Sequence, residues 1–147
     1  MLVFPLRQPA ASVSSAVRCV RMSLMETERV VVLVDDMFFT AKINGAAAES
    51  GRTIERVKTG EQLEALAANP PALVIIDLNS DRLDPIEAIR FLKSREELTA
   101  VPIVSFVSHV QTDLIRAAQA AGCDYVLPRS AFTQRLPQIV AGNLTAN

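Results

Sequence analysis

Leu73-Val74-Ile75-Ile76-Asp77-Leu78-Asn79 places four apolar residues in a row directly before a carboxylate. A short, continuous apolar run that is rich in β-branched residues and follows turn formers, here Asn69-Pro70-Pro71, predicts a strand buried on both faces at the centre of a parallel sheet. Asp77 then lies at the carboxyl end of that strand. Ligands of open α/β sheets bind at this end, because the loops between strands and helices converge there.

A second stretch has the same design. The run Val30-Val31-Val32-Leu33-Val34 leads directly into Asp35 and Asp36. A single aspartate after a strand is most often a turn former or a helix N-cap. Two such runs in one chain predict instead that the carboxylates of Asp35, Asp36 and Asp77 face one crevice at the same edge of the sheet.

Composition and charge limit the class of protein. The chain has 147 residues, of which 50% are hydrophobic and 21% charged, and this predicts one globular domain with its own core. A formal net charge of -1 gives no attraction to nucleic acid or to an anionic membrane, and 5% aromatic residues without tryptophan disfavour a base-stacking surface. The two cysteines, Cys19 and Cys123, lack CxxC spacing. We therefore expect a cytoplasmic protein that binds neither nucleic acid nor membrane.

The N-terminal residues differ from the rest of the chain. They carry three arginines and no acidic residue before Glu26, and their apolar runs are too short to span a bilayer. The composition fits a disordered leader, an arginine-bearing targeting peptide, or a start codon assigned too early, since Met22 and Met25 directly precede the first strand. We assign residues 1–28 to this leader and residues 29–143 to the folded domain.

From residue 29 onward, strand and helix patterns alternate. This alternation demands right-handed crossovers and predicts an α/β, flavodoxin-like (βα)5 fold, in which helices cover both faces of a five-stranded parallel sheet. Met37, Phe38 and Phe39 are expected in the core at the start of the first helix. The predicted strands are 30–34, 53–57, 73–77, 103–107 and 125–127, and the predicted helices are 37–50, 60–67, 85 onward, about 110–121 and about 133–142.

Several short motifs occur in a fixed order across residues 29–142. They are Val34-Asp35-Asp36, Ile76-Asp77-Leu78-Asn79, Leu83-Asp84, Pro102-Ile103-Val104 and Gly122-Cys123-Asp124. Each motif is weak by itself, but the ordered set at these separations is fairly specific. The set resembles the receiver domains of bacterial two-component response regulators.

The resemblance implies a chemistry for the three aspartates. In that family the counterpart of Asp77 accepts a phosphoryl group from a histidine kinase, and the counterparts of Asp35 and Asp36 hold Mg²⁺. By this resemblance Asp36 is a direct ligand, Asp35 is a ligand through water, and the backbone carbonyl of Asn79 and the Asp77 carboxylate complete the protein's contribution. A hard cation is required because phosphoryl oxygens otherwise repel an attacking carboxylate.

The chain departs from the family's pattern at the end of the fourth and fifth strands. The family's hydroxyl residue aligns with Val107, although Ser108 follows as a substitute hydroxyl. The family's lysine aligns with Arg129, which keeps the positive charge but presents a larger, planar fork. The aromatic residue that rotates as a switch aligns with Val126. These departures predict that the conventional readout is damaged, whereas the presence of Asp35, Asp36 and Asp77 favours retained phosphoryl acceptance.

Two functions therefore remain open. The first is a stand-alone receiver domain, not an enzyme beyond Mg²⁺-dependent self-phosphorylation and dephosphorylation, which takes a phosphoryl group from a histidine kinase or phosphotransfer protein. It would contact a downstream protein through the last two helices and the fifth strand. The alternative is a phosphorylation-independent pseudo-receiver that acts as a protein interaction module. A small-molecule-binding flavodoxin-like domain is disfavoured, because the chain has no glycine-rich phosphate loop.

Overall fold

The computed structural model describes residues 29–108 and 111–144, so the predicted leader at 1–28 lies outside the described residues. The strands are β1 Arg29–Leu33, β2 Thr53–Arg56, β3 Leu73–Asp77, β4 Ile103–Val107 and β5 Tyr125–Pro128. The helices are α1 Met37–Glu49, α2 Gly60–Ala65 followed by a 3-10 turn Leu66–Ala68, α3 Pro85–Ser94, α4 Thr112–Ala121, α5 Arg129–Gln134 and α6 Leu136–Val140. No helix in the described part of the chain is long and apolar enough to cross a bilayer.

The five strands form one parallel sheet in the order β2-β1-β3-β4-β5. This arrangement confirms the predicted flavodoxin-like (βα)5 fold. Every residue of β3 is buried, as its continuous apolar run predicts for a central strand. The edge strand β2 alternates between exposed and half-buried residues, which matches its alternating sequence.

Two apolar cores lie on opposite faces of the sheet. Helices α2, α3 and α4 cover one face, where they pack on Val31, Val74 and Ile76. Helices α1, α5 and α6 cover the other face, where they pack on Val30, Ile75 and Phe106. Neighbouring residues of each strand thus face different cores, because strand side chains alternate between the two faces. We refer to these helix sets as the α2-α3-α4 layer and the α1-α5-α6 layer.

Two of the motifs behind the resemblance stabilise the fold itself. Asp84 is the N-cap of α3, where its Oδ1 accepts the backbone N–H groups of Ile86 at 3.0 Å and Glu87 at 3.2 Å. Asp124 joins the loop before β5 to the start of β4, because its Oδ2 accepts Lys93 Nζ at 2.9 Å and the Ile103 N–H at 2.8 Å. These carboxylates hold strand-helix connections and lie outside the set predicted to carry the chemistry.

The prediction of one last helix at 133–142 is wrong. The chain forms two short helices, α5 from Arg129 and α6 from Leu136, with Arg135 between them. Pro137 lies in the first turn of α6, where its missing N–H breaks no helical hydrogen bond. The earlier start of α5 has a consequence for function, since it places Arg129 directly at the end of β5.

Candidate functional site

Asp77 is the last residue of the central strand and is only 5% exposed. Its Oδ1 accepts the backbone N–H of Asn79 at 2.9 Å. Burial raises the pKa of the Asp77 carboxyl above its ordinary value, and the nearby charges of Asp35 and Asp36 act in the same direction. The Asn79 hydrogen bond and the charge of Arg129 oppose this rise. Asp77 is therefore a buried carboxyl whose charge the surroundings neutralise only in part.

Asp35 is held by the loop after β3. Its Oδ2 accepts Ser80 Oγ at 2.8 Å and the N–H groups of Asp81 at 3.0 Å and Arg82 at 3.2 Å. The Arg82 guanidinium is 3.5 Å from Oδ1. Partial burial acts to raise the pKa of Asp35, but these hydrogen bonds and the Arg82 charge outweigh it, and the pKa lies below its ordinary value.

Asp36 is the N-cap of α1. Its Oδ1 accepts the backbone N–H groups of Phe38 at 2.8 Å and Phe39 at 3.2 Å. The helix-cap interpretation of an aspartate after a strand is therefore correct for this residue. Because both bonds use Oδ1, capping α1 is compatible with a second role for the other carboxylate oxygen.

Asn79 connects the loop after β3 to the segment after β4. Its side-chain Oδ1 accepts the N–H of Ser108 at 2.9 Å, and its Nδ2 donates to Gln111 Oε1 at 2.9 Å. Ser108 is exposed at the carboxyl edge of the sheet, whereas Val107 is 1% exposed and packs in the α2-α3-α4 layer. The residue that brings a hydroxyl to this edge at the end of β4 is therefore Ser108, which directly follows the buried Val107.

Arg129 lies over aromatic rings next to Asp77. Its Cζ atom is 5.1 Å from the centroid of Phe39 and 5.8 Å from that of Phe106. The positive charge lowers the pKa of Asp77, yet no ion pair within 4.0 Å joins these two residues in the described structure. The Nε atom of Arg129 is buried and has no hydrogen-bond partner within the described residues. The sequence predicted the charge at this site but gave no sign of the aromatic contacts.

Two of the three apolar residues at the start of α1 are exposed. Met37 is 67% and Phe38 70% exposed, so their expected place in the core is wrong, while Phe39 is buried as predicted. Successive residues of a helix are about 100° apart, so three in a row cannot all face one layer. This periodicity is the signal that identifies the exposed pair, which follows Asp36 at the rim of the site.

The structure brings the predicted residues to one edge of the sheet. Asp35 and Asp36 follow β1, Asp77 ends β3 and Asn79 follows it, Ser108 follows β4 and Arg129 follows β5. Within residues 29–108 and 111–144, however, no three or more His, Cys, Asp and Glu side chains are gathered closely enough to hold a metal ion. The donors suit Mg²⁺ in kind, since they are carboxylate and carbonyl oxygens. Asp35 would have to exchange some of its bonds to residues 80–82 in order to join such a set.

Comparison with solved structures places the fold among response regulators. The phosphorylated cyanobacterial phytochrome response regulator RcpA is 25% identical, with a TM-score of 0.65 over 78% of this chain and 89% of its own. A receiver domain from Rhodospirillum rubrum is 16% identical, with a TM-score of 0.65 over 81% and 95% of the two chains. The Mn²⁺-bound form of response regulator Rcp1 is 18% identical, with a TM-score of 0.64 over 82% and 97%.

No family model matches the sequence, and no curated protein is detectably similar to it. The structural matches confirm the predicted resemblance: this chain has the fold of a response-regulator receiver domain. The matched structures named above are response regulators, and one of them is a Mn²⁺-bound form.

Proposed function

We propose that this protein is a receiver-type signalling domain that accepts a phosphoryl group on Asp77. The observation that carries the proposal is the position of this buried carboxyl, at the end of the central strand of a receiver fold, with two further acids and a guanidinium around it. In this proposal the donor is the phosphohistidine of a histidine kinase or phosphotransfer protein. A carboxylate oxygen of Asp77 bonds to phosphorus as the bond from phosphorus to the donor's imidazole nitrogen breaks.

The surrounding residues have separate roles in the proposal. The Asn79 N–H holds Oδ1 of Asp77 and leaves Oδ2 to attack. Arg129 favours the ionised, nucleophilic form of the carboxyl through its charge. Asp35, Asp36, Asp77 and the backbone carbonyl of Asn79 would hold Mg²⁺. When bound, this ion neutralises the phosphoryl oxygens that would otherwise repel the carboxylate.

Two surfaces are proposed for protein partners. The exposed pair Met37 and Phe38 lies beside the carboxylates, and an apolar rim of this kind is suited to contact with the donor protein. The downstream partner would bind β5 and the helices α4 to α6. The proposal includes a cytoplasmic location and no catalysis beyond the protein's own phosphorylation and dephosphorylation.

The alternative, a phosphorylation-independent interaction module, is favoured by the residues of the β4-β5 half. Val107 is buried and cannot donate a hydrogen bond to a phosphoryl oxygen. Val126 is only half-buried against the α2-α3-α4 layer, and its short side chain cannot rotate as an aromatic lever does. Under this alternative the three acids would serve only the local structure described above.

Treatment with acetyl phosphate and Mg²⁺, followed by intact-protein mass spectrometry, tests the proposal. We expect one phosphoryl adduct on the natural protein and none without Mg²⁺. Asp81, an exposed acid in the adjacent loop, provides the matched control, because Asp81→Asn should leave the adduct in place whereas Asp77→Asn should remove it. Absence of an adduct on the natural protein would support the interaction module instead.

A further inference from the structure

The guanidinium of Arg129 rests on a platform built from three separate elements. Phe39 comes from α1, Phe106 from β4 and Phe132 from α5, and each ring is at most 4% exposed. The centroids of Phe39 and Phe106 are 4.7 Å apart in an edge-to-face arrangement, and those of Phe106 and Phe132 are 4.6 Å apart in a stacked one. Arg129 lies over Phe39 and Phe106.

The register of the sheet places this platform beside Asp77. Phe106 pairs with Asp77 across β3 and β4, and its carbonyl accepts the N–H of Leu78 at 3.0 Å. Phe39 follows Asp36 by one helical turn, and Asp36 caps its N–H. Hydrogen bonds thus join the backbones of Phe106 and Phe39 to Leu78 and Asp36, and both rings are carried close to the proposed site.

A guanidinium that contacts aromatic rings through a cation–π interaction does not use up its N–H donors, which stay able to bind an acceptor. The buried Nε of Arg129 has no acceptor within the described residues, although a buried donor normally finds one. Val107 removes the hydroxyl that the resemblance assigns to phosphoryl oxygens, so the β4-β5 half offers the Ser108 hydroxyl and the charged donors of Arg129 in its place. An ammonium group would present only a point charge there, whereas the guanidinium has five N–H donors in a fixed plane.

We propose that Phe39 and Phe106 are positioning residues, which hold the Arg129 guanidinium beside Asp77 so that its N–H donors meet the oxygens of a phosphoryl group on that residue. The inference rests on the proposed function, and it specifies how this chain recognises the phosphoryl group without the family's hydroxyl and lysine.

A double-mutant cycle on the affinity for beryllofluoride in the presence of Mg²⁺ tests the inference. Cation–π contacts contribute about 0.5–2 kcal/mol, so Phe39→Leu should weaken binding about 2- to 30-fold when Arg129 is present. In the Arg129→Met background the same substitution should have no effect, because the group that Phe39 positions is absent. Equal weakening in both backgrounds would show a merely structural role and overturn the inference, as would no weakening in either.

Phe132→Leu is the matched control. It changes the same residue type in the same aromatic cluster, but Arg129 does not lie over this ring in the structure. We expect equal binding effects of Phe132→Leu with and without Arg129. Failure of the natural protein to bind beryllofluoride at all would overturn the proposed function together with the inference, whereas binding without coupling to Phe39 would overturn the inference alone.

A spectroscopic measurement on the natural protein keeps the inference testable even if Phe39→Leu does not fold. The Arg129 Nε–H resonance in ¹H–¹⁵N spectra should lie upfield of other arginines because of the ring currents, and it should exchange slowly with solvent because the atom is buried. Beryllofluoride with Mg²⁺ should move this resonance downfield as an acceptor arrives. The Arg95 guanidinium, 5.7 Å from the ring of Phe91 on α3, should not respond. An Arg129 resonance in the range of exposed arginines, or one that beryllofluoride leaves in place, would contradict the inference.

Discussion

The carboxyl edge of the sheet has two halves that differ in chemistry. The half formed by β1 and β3 carries three carboxylates, and each of them accepts at least one hydrogen bond from the surrounding loops and helix. The half formed by β4 and β5 is apolar at Val107 and Val126 and contributes Arg129 as its charge. In the proposed function, acceptance of a phosphoryl group would thus depend mainly on the acidic half, and the response to it on the β4-β5 half. One capacity can be retained while the other changes.

Within the acidic half, Asp35 and Asp77 differ in a second way. Asp35 is partly exposed and receives three hydrogen bonds, whereas Asp77 is buried and receives one on its side chain. Folding consequently lowers the pKa of Asp35 and raises that of Asp77. A low pKa suits a permanently charged group, while a carboxyl with a raised pKa gains most from a bound cation.

The largest expected effect is complete loss of phosphoryl acceptance on removal of Asp77. Asp77→Asn has no carboxylate oxygen to bond to phosphorus, so acetyl phosphate should give no adduct in intact-mass measurements. Asp35→Asn should retain a reduced yield, because only an indirect contribution to cation binding is lost. An adduct on Asp77→Asn equal to that of the natural protein would place the acceptor elsewhere.

Val107→Thr should sharpen the contrast between the two halves. When Asp77 carries no phosphoryl group or mimic, the threonine hydroxyl of this variant lies in a fully buried position. We then expect the free energy of unfolding to be about 1–3 kcal/mol lower than that of the natural protein in denaturant titrations. When beryllofluoride occupies Asp77, the hydroxyl gains a charged acceptor and the loss should shrink. Val104→Thr, at another fully buried position of β4, is the control whose loss should not depend on the mimic. If Val107→Thr lowers the free energy of unfolding equally with and without beryllofluoride, position 107 does not face the phosphoryl site.

Asp36 combines a structural role with the proposed metal role, and two substitutions separate them. Asp36→Ala removes the N-cap of α1 and should lower the free energy of unfolding by about 0.5–2 kcal/mol. Asp36→Asn keeps an oxygen for the Phe38 and Phe39 N–H groups and should preserve most of that stability. We expect millimolar Mg²⁺ to raise the melting temperature of the natural protein, and both variants should lose this increase. An unchanged Mg²⁺ response in Asp36→Asn would remove Asp36 from the metal site.

The smallest effect is a pH dependence of opposite sign at Asp77 and Asp35. Because folding raises the pKa of Asp77, the folded protein binds more protons than the unfolded chain just above the ordinary Asp pKa of about 3.9, and stability falls as pH rises through this window. In metal-free buffer Asp77→Asn should therefore be more stable than the natural protein at neutral pH, and this gain should disappear at low pH.

The lowered pKa of Asp35 gives the opposite dependence. Its contribution to stability is present above the ordinary Asp pKa of about 3.9 and is lost as pH falls through its lowered value. Asp35→Asn should accordingly be less stable than the natural protein at neutral pH, with the difference shrinking in acid. Thermal melts of both variants across the pH range check the two signs. If Asp35→Asn and Asp77→Asn both raise or both lower the melting temperature at neutral pH, the contrast between these carboxyls is contradicted.

The sequence was sufficient for the fold and for the position of Asp35, Asp36 and Asp77 at one edge of the sheet. The run from Leu73 to Asp77 predicts a buried central strand and places its aspartate at the ligand-binding edge, because continuous apolar runs and chain order determine both features. The exposure of Met37 and Phe38 was missed, although helical periodicity contains that information. The break at Arg135 was missed as well, since Pro137 fits the first turn of a new helix as well as that of a long one.

The aromatic platform under Arg129 could not be predicted in the same way. Phe39, Phe106 and Phe132 lie on three elements far apart in the chain, and only the tertiary packing of the α1-α5-α6 layer brings the rings together. The bonds that hold Asp35 depend likewise on the conformation of the loop at residues 80–82, which no periodic pattern specifies.

Hydrogen exchange with and without beryllofluoride and Mg²⁺ tests the central claim most directly, that this chain retains phosphoryl acceptance while its response is weakened. We expect clear protection at Asp77 and the loop that follows it, and only small changes across residues 111–142, because a ligand shifts a conformational equilibrium no further than its differential contacts allow. Strong protection of α4, β5 and α5 would contradict the weakened response. Absence of any change at Asp77 would contradict acceptance itself.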